Sequence, residues 1–484
     1  MSSIRYVIVS DLHLGGANNV LTRLSKDNHS TIPNDASDLA RKFVACVHHV
    51  LSNADATGPI SLILNGDILE FALAGTNEAS MTFERFVELL FDDSLGGRRL
   101  ARQIFYLPGN HDHHLWNTAK ETQYVEKYLK DLPAAATIGP EYYATNMFYN
   151  EKLRTVPAYL PDALIRRLPG LGQLSFITVY PNLAVLNPDK SRAVVFHHGH
   201  YIESIYSLMS RLRDIFFPGR AGPDKIWDLE AENGAWVDFF WSTLGRSGGV
   251  GTGIGLIYAK MQNETQFDKL LENLARSITP QLPSWLRLLP LPKRWLITKV
   301  LEHTVGQLAT REVHETDTAL SADAAAGLKH YLEKYVLAEI KRGNHDSVPA
   351  DVTFIFGHTH KPFQGTQRFQ GYKEPVKVLN SGGWVVDTTQ ASKIHGGAIV
   401  FVDDELNAAS IRMYNESDSP EWPAVHVDAA VTEGNSLFEW LSELIKPDEE
   451  PWKSFSQAAS QAVSDHRKNL LFNISRKDIE SSVT

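Results

Sequence analysis

Apolar runs that stop at a polar pair recur along the first two hundred residues. Val7 to Leu14 reads Val-Ile-Val-Ser-Asp-Leu-His-Leu, an apolar strand that runs out at Asp11 and His13. Side chains two apart on an extended segment point to the same side, so both donors can close on one ion. Asn34 to Ala54 follows, with Leu39, Phe43, Val44, Val47 and Val50 at helical spacing. Ile60 to Leu64 predicts a buried strand that stops at Asn65-Gly66-Asp67, Met81 to Leu90 predicts a helix, and Gln103 to Leu107 predicts a strand ending in Pro108-Gly109-Asn110-His111-Asp112. Strand, helix, strand, helix, strand, with polar residues at each strand's carboxyl end, predicts an α/β layered sheet whose ligands bind at those ends.

Strand patterns continue from Leu174 to Leu186, broken at Pro181-Asn182, and from Arg192 to Phe196, which leads into His197-His198-Gly199-His200. The rhythm then changes. Residues 201–346 carry mainly helical patterns, at Ile202 to Ile215, Ala235 to Leu244, Thr265 to Ile278, Pro292 to Leu308 and Ala319 to Ile340, and read as a helical insert or cap. Strands resume at Val352 to Phe356, which ends in Gly357-His358-Thr359-His360, and at Val376 to Leu379, Ala398 to Val402 and Ala409 to Tyr414. The expected division is therefore 1–200 with 347–415 as one domain, 201–346 as the insert, and 416–484 as a polar, peripheral tail with one amphipathic stretch at Ser436 to Ile445.

Composition narrows the class. The chain has 484 residues, 43% hydrophobic and 21% charged, enough for a large core and without the long apolar run of a membrane span. It begins Met-Ser-Ser-Ile-Arg-Tyr with no secretory pattern, and its one cysteine, Cys46, reads as a small buried hydrophobe, so a cytoplasmic location is expected. A net charge of −10 gives no strong nucleic-acid signal and opposes an anionic substrate, so bound cations must supply local attraction. Gly248 to Gly255 could cradle phosphate but lacks the lysine of a phosphate-binding loop and a preceding strand, and reads as a flexible or close-packing joint. Leu282 to Val300 mixes Trp285, Leu288, Trp295 and Ile297 with Arg287, Lys293 and Arg294; it suits a core-facing helical pair, with peripheral membrane or lipid contact as the other reading. Nothing here fixes the oligomeric state.

The five polar clusters are Asp11-Leu12-His13, Gly66-Asp67, Gly109-Asn110-His111-Asp112, His198-Gly199-His200 and Gly357-His358-Thr359-His360. In this order they resemble the five motifs of the calcineurin-like metallophosphoesterase superfamily. The resemblance implies a layered α/β-β-α sandwich, here with a helical insert and a C-terminal helical tail, and hydrolysis of a phosphomonoester, phosphodiester or diphosphate at a binuclear centre. It assigns Asp11, His13 and His360 to one divalent cation, Asn110, His198 and His358 to the other, and Asp67 to both. Manganese is the expected metal, with iron or zinc the alternatives. His111 is then the general acid or transition-state stabiliser. Asp112 is expected to cap the next helix, with orientation of its loop as the other reading, His197 to point away from His198, His200 to shape the rim, and His113 and His114 to lie at the surface or rim.

Ser10 to Gly15 and Gly66 to Glu70 look most like the branch that includes UDP-diacylglucosamine pyrophosphohydrolase, although the longer chain, His111 and His200 depart from it. Two other readings are a scaffold that binds a partner through the insert and a nuclease on the same metals. A second Gly-Asn-His-Asp at 343–346 follows a helical pattern rather than a strand and reads as a decoy.

Overall fold

The computed structural model describes residues 3–243 and 318–481, with short breaks at 26–29, 56–57, 95, 150–155, 218, 220, 387 and 417–424. The glycine-rich stretch at 248–255, the helical patterns at 265–278 and 292–308, and the candidate membrane-contact stretch at 282–300 lie outside the described residues.

Two sheets form the centre. The first contains β1 (Ile4–Val9), β2 (Ser61–Asn65), β3 (Gln103–Leu107), β4 (Val156–Pro157), β5 (Ser175–Thr178), β11 (Ser392–Asp403), β12 (Ala408–Glu416) and β13 (His426–Asp428), in the order β13-β12-β11-β1-β2-β3-β5-β4. The second contains β6 (Asn182–Leu186), β7 (Arg192–His197), β8 (Asp351–Phe356), β9 (Phe363–Gln367) and β10 (Val376–Asn380), in the order β6-β7-β8-β10-β9. β1, β2, β3 and β5 run parallel, as do β7, β8 and β10. β11 and β12 complete the first sheet antiparallel, as the short apolar runs near Val402 suggest.

The two-residue side-chain period divides each strand between two cores. Tyr6 and Ile8, Ile63, Phe105 and Leu107 meet Val194, Phe196, Ile355 and Leu379 between the sheets. Val7 and Val9, Leu62 and Leu64, and Ile104 and Tyr106 face the other way, toward α1 (Asp38–Asn53), α2 (Thr76–Leu90) and α4 (Tyr159–Ile165). The start of α1 is set by Ser37, whose Oγ accepts from Ala40 N at 3.0 Å. On the outer face of the second sheet, Val195, Phe354, Phe356, Val376 and Val378 pack against Ile226 and Leu229 of the insert and Tyr331, Leu332, Val336 and Ile340 near its end. The layers are helix, sheet, sheet, helix.

Between 200 and 346 the described residues form two single 3-10 turns at 200–202 and 204–207, α5 (Leu208–Phe216), α6 (Ile226–Val237) loosening into a π-turn at 238–243, α7 (Ala322–Tyr331), a second π-turn at 332–336, and α8 (Leu337–Gly343). The tail is less peripheral than its polarity implies. Beyond α9 (Ser436–Leu444), α10 (Trp452–Ser481) presents Trp452, Phe455, Ala459 and Val463 at helical spacing to the same core as α1. Phe43 and Phe455 both pack on the Trp384 indole, and His466 donates to the carbonyl of Ala17 at 2.8 Å. The tail thus braces the loop that follows His13. Among the described residues, no helix is long and apolar enough to cross a membrane.

Candidate metal centre

Parallel strands in both sheets end at one edge of the sandwich, and the chain must turn sharply there to present side chains to a common point. Asp11, His13, Asp67, His358 and His360 all adopt positive φ, between 45° and 72°. That region costs a non-glycine residue about 1–3 kcal/mol and persists only where the surroundings enforce it. The enforcement is visible in the hydrogen bonds that stitch the loops together. Asp11 N donates to Gly66 O at 2.9 Å, His13 N to Asp67 O at 2.8 Å, Gly357 N to His198 O at 2.7 Å, and His358 N to Asp11 Oδ1 at 2.9 Å. Glycine is required at two close approaches. A Cβ on Gly357 would lie 2.0 Å from Asp11 Oδ2, and one on Gly109 would lie 2.2 Å from Asp67 Oδ1.

Asp67 sits in the middle. Its Oδ1 accepts from His111 N at 2.7 Å, while Oδ2 lies 3.2 Å from His198 Nε2 and 3.8 Å from His13 Nε2. Burial alone would raise this carboxyl; the imidazoles of His198, His111 and His13 override it and hold it well below the ordinary carboxylate range. Glu70 takes the Nδ1 protons of two rings, from His13 at 2.7 Å and from His111 at 2.8 Å. Burial opposes its charge, yet His111 and His13 bring it down to about 2.

With those protons placed, the Nε2 atoms of His13 and His198 face other acceptors. His13 Nε2 lies 3.1 Å from His360 Nε2, which is 3.6 Å from Asp11 Oδ1. His198 gives Nδ1 to Asn65 O at 3.3 Å, so Nε2 meets both Asn110 Oδ1 at 3.0 Å and Asp67 Oδ2. Asp11 Oδ2 is buried without a hydrogen-bond partner. Such a convergence of lone pairs requires extra protons or cations, and mixed imidazole, carboxylate and amide donors are those that bind divalent transition metals. Three triplets bring their donor atoms within 4.8 Å of one another: Asp11, His13 and His360; His13, Asp67 and His111; Asp67, His198 and His358. The residues present therefore fit a divalent metal. The model of the calcineurin-like phosphoesterase family matches residues 4–246, half of the chain.

The chain belongs to the calcineurin-like phosphoesterase family. The family hydrolyses phosphate esters with divalent metals, and the Asp and His clusters here are of the kind that chemistry uses. No curated protein matches the chain. Among solved structures, phosphopantetheinyl hydrolase from Mycobacterium tuberculosis is similar over 79% of this chain and 91% of that chain, at 13% identity and a TM-score of 0.23. The family match stops short of His358 and His360. It is the pairing of β8 with β7 that returns them to the phosphoesterase edge.

The structure brings Asp11, His13, Asp67, Asn110, His111, His198, His358 and His360 together. His197, one residue before His198, turns to the opposite core and stacks on Tyr331 with ring centroids 4.5 Å apart. Three expectations are corrected. Asp112 occupies the N-cap position of α3 (His113–Gln123) but makes no side-chain cap there. Its carboxylate instead accepts from the amides of Gly109 at 2.7 Å and Ile68 at 2.9 Å, and from the Tyr106 hydroxyl, tying the Asp67 and Asn110 loops together. His200 is fully buried rather than at the rim, with Nε2 3.1 Å from the Tyr180 hydroxyl. His113 is also fully buried, donating to Glu230 Oε1 at 3.1 Å. His114, by contrast, keeps a side chain that is 40% exposed.

Glu70, Glu203 and Glu230 received no role from the sequence. Glu70 had a signal, since it closes the quoted stretch Gly66 to Glu70 and lies three residues after Asp67. Glu230 accepts from His113, Trp116, Tyr180 and Tyr201, groups from three separate segments, and only the fold gathers them.

Proposed function

We propose that this phosphoesterase cleaves its ester at two divalent cations that share the Asp67 carboxylate, one held further by Asp11, His13 and His360, the other by Asn110, His198 and His358. The observation that carries the reading is the ring of lone pairs closing on Asp67 from both sides, His13 Nε2 at 3.8 Å and His198 Nε2 at 3.2 Å. Manganese, iron or zinc suits these donors, and the substrate is a phosphomonoester, phosphodiester or diphosphate. Two such ions would supply charge for the phosphoryl oxygens and make a bound water more acidic.

The chain's own groups supply the rest. Glu70 anchors His111 through Nδ1, which leaves Nε2 to act toward a leaving oxygen. In the metal-free protein burial would lower the His111 pKa, but Glu70 and Asp67 raise it to about 9, a bias toward the protonated ring that a general acid requires. Asp112 holds the loop that carries Asn110 and His111 against the Asp67 loop. The site opens toward solvent at His360, whose side chain is 17% exposed. The insert at 201–346 and the tail from 416 are proposed as additions to a catalytic body made of 1–200 and 347–415.

Metal analysis together with hydrolysis of bis(p-nitrophenyl) phosphate tests the reading, with Asp67→Asn as control. Two ions per chain and metal-dependent turnover that Asp67→Asn abolishes are expected. Two bound ions with no turnover on any phosphoester would overturn it in favour of a scaffold. Turnover confined to single-stranded or duplex nucleic acid would make the enzyme a nuclease.

A further inference from the structure

Three of the proposed ligand rings have their second nitrogen accounted for or facing a neighbouring ligand, and the fourth leads outside the motifs. His13 leans on Glu70 and His198 on Asn65 O, while His360 Nε2 faces His13 and Asp11. His358 Nε2 lies 3.0 Å from Glu203 Oε1, with the two side chains only 6% and 15% exposed. The approach is off the axis of the ring N–H, so the nitrogen has no formal hydrogen-bond partner, and this carboxylate is the group beside it.

Glu203 is rooted firmly. It sits between the 3-10 turns at 200–202 and 204–207, its N–H donating to His200 O at 3.1 Å and its carbonyl accepting from Tyr206 N at 3.2 Å. The next amide, Ser204 N, donates to Asp323 Oδ2 at 3.1 Å at the start of α7. α7 lies so close that a Cβ on Gly327 would come 1.7 Å from Ile202 O. Tyr206 packs edge-on against the His358 ring, centroids 5.0 Å apart. The first turns of the insert therefore grip one ligand ring from two sides. His358 also contributes a donor atom to the triplet with Asp67 and His198.

We infer that Glu203 is a positioning residue: its carboxylate, 3.0 Å from His358 Nε2, favours the tautomer with the proton on that nitrogen, which would leave Nδ1 as the donor for a cation shared with Asp67 and His198. The inference rests on the two-metal reading above. A ligating imidazole whose far nitrogen meets a carboxylate is held in one orientation and made more basic. The insert would then tune the second cation specifically, since the first is braced by Glu70.

Titrating metal-free protein with Mn2+ by calorimetry, with bound ions counted by elemental analysis, tests this. Wild type is expected to take two ions. Glu203→Ala is expected to weaken the second by about 10–100-fold and leave the first unchanged. Glu203→Gln, whose amide oxygen still accepts, is expected to stay within about threefold of wild type. Glu203→Leu, of similar bulk but without an acceptor, replaces Glu203→Ala if that variant does not fold. Unchanged second-ion affinity in the Ala or Leu variant overturns the inference, and so does a Gln variant as weak as Ala, which would make Glu203 a charged ligand. Fewer than two ions in wild type would overturn the two-metal reading itself.

Discussion

Gly-Asn-His-Asp occurs twice in this chain, and the two copies do different work. At 109–112 it leaves the carboxyl end of β3 with Asn110, His111 and Asp112 buried. Asn110 faces His198, His111 faces Glu70, and Asp112 gathers amides from the Asp67 loop. At 343–346 the same residues end α8. Asn344 N donates to Ile340 O at 2.9 Å as the helix stops, and His345 and Asp346 turn out to solvent with φ of 50° and 58°. Both neighbourhoods contain strained backbone, so strain alone does not mark a site. What separates the copies is the set of distant partners each one meets: carboxylates and imidazoles from three other segments in the first, mainly its own helix end in the second.

The contrast is sharpest at the histidines. His111→Ala is expected to lower kcat by about 10²–10⁴-fold, the span of general-acid catalysis, while His345→Ala leaves turnover and metal content unchanged. Steady-state kinetics on the aryl diester measures both, and a loss of activity in His345→Ala would erase the distinction.

A pH effect comes next. Burial would lower the His113 pKa, but Glu230 on α6 and Asp238 in the following π-turn raise it to about 9. The Tyr180 ring and His200 are its other close neighbours, and neither is charged in the neutral range: both are held from ionising or protonating by burial first. A folded value above the free one means that the stabilisation is complete below about pH 6.5 and is lost as pH rises through about 9, on the order of 3 kcal/mol. Denaturant melts between pH 6.5 and 10 should show a steeper loss in wild type than in His113→Gln, where His111, also raised to about 9, still contributes a slope of the same sign. An equal slope in both would remove the charge from His113.

The smallest effect separates the aspartates. Asp112→Asn is expected to cost about 1–3 kcal/mol, because a buried acceptor of several donors is weakened, while Asp346→Asn stays within about 0.5 kcal/mol. Thermal melts of the two variants decide it, and equal Tm values would mean that Asp112 does not tie the loops.

Much of the framework was legible because strand periodicity is local. The run Gln103 to Leu107 is β3 residue for residue, and the stops at Asp11, Asp67 and Asn110 are where the parallel strands end. β9 escaped notice because Phe363-Gln-Gly-Thr-Gln367 carries one large apolar residue and lies on a sheet edge. α10 hid its anchoring face among serines and glutamines, with Trp452, Phe455 and Val463 spread over three turns. The ligand candidates were readable as ordered motifs, but Glu203 and Glu230 were not. Each acquires a partner more than a hundred residues away in sequence, His358 for one and His113 for the other, and no short spacing encodes such a meeting. Asp112 went astray for the same reason: its position is that of a helix cap, and only the approach of the Asp67 loop redirects its carboxylate.

Anomalous diffraction from crystals grown with Mn2+ tests the central claim most directly. Two peaks about 3.5 to 4 Å apart are expected, with an Asp67 oxygen between them and the rings of His13, His198, His358 and His360 turned inward. A single peak, or two peaks neither of which touches Asp67, would contradict it.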